Sequence, residues 1–138
     1  MTEGDGRGRV GIVEWSRRAR GARATELRIA GAYGAAIAGA ATGGEKIALA
    51  RAARHHGWHA ELWSSVVPVL HDVDATLAAV DTIEGVADIT EGDDPQAAAE
   101  RTIHDLTERY RAWLASAAPV ADGPLIAVLE LVLGPNRP

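Results

Sequence analysis

The stretch TGGEKIALARAARHHGWHAELWSSVV, residues 42–67, decides the fold. Thr42 with Glu45 three residues on is a capping-box pattern, the signature of a helix N-terminus. The helix it opens is predicted to run from about Glu45 to Val67, where Pro68 ends or kinks it. Leu49, Ala52, His56, His59, Trp63 and Val66 recur at spacings of three and four and so share one face. That face is meant for a core, yet it carries two imidazoles.

Towards the N-terminus lies a second helical pattern, ELRIAGAYGAAIAGAA, residues 26–41, with Thr25 as its expected N-cap. Gly31, Gly34 and Gly39 each weaken that helix by about 1 kcal/mol relative to Ala, which suggests that they serve close helix packing. Residues 10–20 read as a short helix or the frayed start of this one, and residues 1–9 as a disordered lead to a single domain spanning 10–138.

Towards the C-terminus, residues 74–80 suit a helical turn and GVADITEGDDP, residues 85–95, an acidic, solvated and mobile loop. Asp94 and Pro95 then supply an N-cap and a first helical residue for a third long helix. Its apolar line is Ala99, Ile103, Leu106, Tyr110, Trp113 and Leu114, and Pro119 closes it. A fourth, short helix from about Pro124 to Leu133 is apolar nearly all round and stops at Gly134. Such a helix is expected to be buried on several sides or against a partner chain. Four helical periods without alternating runs predict an all-α bundle.

The 138 residues suit one domain, and the absence of cysteine leaves any metal to His, Asp or Glu. With a polar N-terminus and no long apolar run, the chain reads as soluble and cytoplasmic, with no membrane contact. A net charge of -5 makes nucleic acid an unlikely partner. Seven of the 14 basic residues nevertheless lie at or before Arg28, while residues 72–108 are strongly acidic. Nearly all basic residues are Arg and Ala is abundant, a bias typical of GC-rich bacterial sequences.

If the first two long helices form an antiparallel hairpin turning at Gly43, residues at the same level have numbers summing to roughly 85 or 86. Glu26 then lies near His59, and Tyr33 near Ala52 or Ala53. One carboxylate and two imidazoles thus converge, and Glu26, His56 and His59 are the candidate metal ligands. His55 lies at the edge of the seam, Tyr33 above it, and His104, Asp105 and Glu108 on the third helix are further accessory candidates. The same residues also suit a buried polar network or acid-base catalysis without metal.

The run HHGWHAELW (residues 55–63), with Glu26 and Tyr33 on the preceding helix, resembles the first helix pair of the ferritin-like superfamily. It is closest to actinobacterial ferritin-like domain proteins with a His-x-x-His-Ala-Glu-Leu-Trp stretch. The resemblance covers roughly residues 25–133 and implies an antiparallel four-helix bundle with a short fourth helix. It also implies an iron or manganese site in which Glu26 matches the helix-one ligand and His59 the histidine of Glu-x-x-His. The sequence departs from that pattern in having His56 where the family has Glu, and only Glu130 on the fourth helix. The expectation is therefore a degenerate, non-catalytic relative that binds a protein partner or a small ligand and forms a dimer. The alternative is a metal-dependent redox enzyme built on Glu26, His56 and His59.

Overall fold

A computed structural model of the chain describes residues 11–68 and 75–134. The predicted disordered lead lies outside the described residues. Among them the chain is all-helical: α1 is Ile12–Ala36, α2 Gly43–Ser65, α3 the single turn Ala75–Ala78, α4 Pro95–Ser116 and α5 Gly123–Leu133. A 3-10 turn, Ile37–Gly39, leads from α1 into the connection to α2. The third long helix and the short fourth helix expected from the sequence are α4 and α5. No described helix is long and apolar enough to cross a membrane.

The caps of α2 and α4 form as their sequences require. Thr42 Oγ1 accepts the Glu45 N–H at 3.1 Å, and the Glu45 carboxylate reaches back to the Ala41 N–H at 2.9 Å. Asp94 accepts the Ala97 N–H at 2.9 Å, with Pro95 behind it. At the start of the first helix, the second reading of residues 10–20 holds, since residues 12–20 begin the long helix itself, and it is the Thr25 cap that differs from expectation. Instead of capping a helix, Thr25 sits inside α1, its hydroxyl donating to the Gly21 carbonyl at 2.8 Å. The apolar residues ahead of it extend the helix because they have something to pack on. Trp15 lies against the core and its indole N–H donates to the Val66 carbonyl at the far end of α2, at 2.7 Å.

That bond and the turn at residues 37–42 bracket an antiparallel α1–α2 hairpin. Helix α1 buries Ala19, Ala22, Ile29 and Ala32 on one line, and Glu26 lies within it. Against this line α2 sets Leu49, His59, Ala60 and Trp63, and α4 sets Ala99, Leu106, Tyr110 and Trp113. Trp63, Tyr110 and Trp113 form the aromatic centre, with ring centres 5.4 to 6.0 Å apart, and the Arg18 guanidinium lies over Trp113 at 5.3 Å.

Helix α5 buries Leu125, Val128, Leu129 and Leu133, whereas Leu131 stays half exposed and Glu130 exposed. It is thus covered on one face by its own chain and not on several sides, and nothing among the described residues bears on the other expectation, burial against a partner chain. The acidic connection also departs from expectation. Ile83, Val86 and Ile89 pack on the core, the Asp105 carboxylate accepts the Ala87 N–H at 2.9 Å, and Thr102 donates to the Ala87 carbonyl at 2.8 Å. Solvated acidic groups alternate with apolar anchors, so the segment is docked along α1 and α4.

Close packing by glycine occurs at one helical position that the sequence reading passes over. A Cβ on Gly21 would lie 2.6 Å from the Thr82 carbonyl oxygen, so the docked segment touches the α1 backbone there. Gly31, Gly34 and Gly39 meet no neighbour within 4 Å and serve no such contact.

Candidate functional site

Helix periodicity places His55, His56 and His59 within little more than one turn of α2, opposite Glu26 of α1. The hairpin register expected from the sequence brings Glu26 and His59 to the same level, and they meet. Glu26 is 1% exposed. Its Oε1 lies 2.6 Å from His56 Nδ1 and its Oε2 3.1 Å from His59 Nδ1. Tyr33 stacks on the His56 ring, with centres 5.9 Å apart.

A third donor comes from α4. Tyr110 donates its hydroxyl hydrogen to Glu26 Oε2 at 2.9 Å, and its oxygen accepts the Trp63 indole N–H at 2.9 Å. Indole N–H is a donor only, so the direction of this chain is fixed: Trp63 to Tyr110 to Glu26. Burial pushes the Glu26 carboxyl up, but the hydrogen bonds from His56 and His59 and their electrostatic effect outweigh it and hold it below the ordinary value. Burial, followed by the Glu26 charge, drives the Tyr110 phenol well above its ordinary value, which keeps it a donor.

An ionised carboxylate accepts and never donates. Both imidazoles therefore present Nδ1–H to Glu26, and in a neutral ring Nε2 is left with its lone pair. His59 Nε2 is buried and has no hydrogen-bond partner among the described residues. Such an orphan costs about 1–3 kcal/mol. His59 lines a cavity of about 260 Å³ that also takes in His55, His56, Thr107, Leu131 and Leu133. Wider clefts of about 570 and 770 Å³ lie near the α1–α2 connection and on the outer face of that hairpin. Neither contains a buried polar atom left unpaired, and for that reason the smaller histidine pocket is the stronger candidate.

Of the accessory candidates, His55 stands at the rim of the pocket and is exposed. Burial of its ring, then the charges of His59 and His56, lower its basicity against the opposing pull of Glu26. The three α4 candidates take no part. Asp105 holds the acidic segment, Glu108 pairs with Arg111 at 2.9 Å, and His104 is exposed to solvent. Tyr110 is the α4 residue that reaches Glu26, and sequence reasoning places it only in the apolar line. Its polar hydroxyl among Leu106 and Trp113, on a stripe facing a buried acid, is the signal available.

The ferritin-like pattern that the sequence resembles carries a dinuclear centre with bridging carboxylates. Ligand atoms of Glu26, His56 and His59 lie within 4.8 Å of one another, enough for one ion. A second ion needs bridging carboxylates, and α5 offers only Glu130, which is exposed. Glu26 already receives three donors, so it has little capacity to bridge. The residues present do not fit a dinuclear centre.

No family model, curated protein or solved structure matches the chain.

Proposed function

We propose that this chain is a ferritin-like four-helix bundle without a dinuclear centre that works as a binding protein, with the histidine pocket as its ligand site. The observation that carries this reading is the buried, unpartnered His59 Nε2 on a cavity of about 260 Å³. A group that costs stability when left alone is repaid when a ligand supplies its partner. Intracellular localisation and a dimeric state belong to the same proposal. A dimer mass in light scattering supports the latter, and a monomer mass removes it.

The test is thermal unfolding of untagged protein against a panel of divalent ions and small organic acids, with His59→Ala as control. A ligand at about 100 times its Kd stabilises by about 2.7 kcal/mol, a readable rise in Tm. The reading predicts at least one hit that the control loses. A panel with no hit, or hits unaffected by the control, contradicts it.

A second reading is a redox enzyme with iron or manganese held by Glu26, His56 and His59. The spacing of their ligand atoms within 4.8 Å favours it. Oxygen consumption by iron- or manganese-loaded protein, abolished in Glu26→Ala, is the result that supports this reading over the first.

A further inference from the structure

We propose that the pocket takes one borderline divalent transition-metal ion of the zinc class, held by His55, His56 and His59 through ring nitrogens that face away from Glu26. On this proposal, which rests on the pocket being a binding site, Glu26 is the carboxylate that orients the ligands and is itself no ligand.

Three observations converge. First, Glu26 engages Nδ1 of both His56 and His59, at 2.6 and 3.1 Å. A histidine that binds metal through one ring nitrogen commonly donates its other N–H to a carboxylate, which fixes the tautomer and the ring plane. Here one carboxylate does this for two rings at once, and Tyr110 with Trp63 behind it holds that carboxylate in place.

Second, the nitrogen that such an arrangement offers to a metal is the one without a partner. His59 is 4% exposed, and its Nε2 is the buried side-chain polar atom left unpaired among the described residues. His55 makes no hydrogen bond there either, and both residues line the cavity.

Third, the rings stand near the spacing one ion needs; the ligand atoms already within 4.8 Å of one another are those of Glu26, His56 and His59, so on this proposal the exposed His55 ring turns in to join the ion. With zinc–nitrogen bonds of about 2.0–2.1 Å, two imidazoles on one tetrahedral ion have ring centres about 5 Å apart. The three pairs stand at 4.2 Å (His55–His59), 5.2 Å (His56–His59) and 5.4 Å (His55–His56), each with steeply inclined rings. Three imidazoles leave a fourth position open towards Thr107 and α5, where water or an organic ligand can complete the ion. An all-imidazole set favours zinc, nickel, cobalt or copper over manganese, which prefers oxygen donors.

The test titrates metal-stripped, full-length protein with Zn²⁺ and Mn²⁺, reading ring-nitrogen resonances of the histidines by NMR. The expected result is one Zn²⁺ per chain, shifts at His59 Nε2 and at a His55 ring nitrogen, and Mn²⁺ bound at least about 100-fold more weakly. His59→Ala abolishes binding. His55→Ala weakens it about tenfold or more and, because His55 is exposed, keeps the fold and carries the test should His59→Ala unfold. Glu26→Gln retains one ion with about a 10- to 100-fold loss, the range expected of an orienting partner. Shifts at the two Nδ1 atoms, or abolished binding in folded Glu26→Gln, overturn the proposal by making Glu26 a ligand. If zinc fails to bind while an organic acid still perturbs the His59 ring, the metal proposal falls and the binding pocket stands. If neither acts on the ring, both fall.

Discussion

Glu26 lies in the core line of α1 with Ala22 and Ile29, where an unpaired carboxylate would be strongly destabilising. Three donors make it tolerable, and removing any one exposes the cost. Tyr110→Phe takes one bond from Glu26 and strands the Trp63 N–H, so we expect a loss of about 1–3 kcal/mol in urea unfolding. His56→Leu strands Glu26 Oε1 and should cost a similar amount. A neutral result for both would mean that the network does not hold Glu26. The pH dependence follows from two directions. Glu26 titrates below its ordinary 4.5 when folded, so the unfolded chain binds more protons in that window and stability falls as pH drops through it. His55 titrates below its ordinary 6.5, so stability also declines, more gently, as pH falls from neutrality. Urea midpoints measured from pH 7.5 down to 4 should decrease throughout. A midpoint that rises on acidification contradicts both assignments.

At the scale of elements, what each helix needs locally is legible in the sequence and what crosses between elements is less so. The Thr42 and Asp94 caps are short-range hydrogen bonds, written in neighbouring residues. The Glu26–His59 level follows from a tight connection and the helical rise. By contrast, the partner of Trp15 is Val66, 51 residues away, and without that contact Thr25 looks like the better place to begin α1. Tyr110 escapes for the same reason, since the long acidic segment hides the register of α4 on α1. The glycines show this at a single atom. Gly21→Ala drives a methyl group to within 2.6 Å of the Thr82 carbonyl and should destabilise by about 1–3 kcal/mol. Gly31→Ala meets open space on an exposed turn and should stabilise by up to about 1 kcal/mol. Equal effects in thermal unfolding would show that the docked segment does not contact α1.

Across the whole molecule, the uneven charge distribution has an internal use. Arg28 on α1 reaches Asp81 at 3.1 Å and Asp88 at 3.7 Å, and Arg101 reaches Asp93 at 3.7 Å. Arg17 and Arg18 share Glu14, both at 3.1 Å. Arg28 thus ties the basic N-terminal part to the acidic segment, while the other pairs are local to α1 or to the segment and α4. These pairs are partly exposed, so each contributes only about 0–1 kcal/mol, and Asp81→Asn should shift the urea midpoint little. The apolar anchors Ile83, Val86 and Ile89 hold the segment, and the ion pairs mainly align it.

The whole arrangement turns on one claim, that His56 and His59 are oriented by Glu26, with His55 beside them, for a ligand that is a metal ion. Elemental analysis of untagged protein from metal-supplemented cells, beside a His55→Ala/His59→Ala variant, tests it most directly. The account predicts near-stoichiometric zinc-class metal that the variant lacks. Metal-free wild-type protein, or equal metal in both, contradicts it.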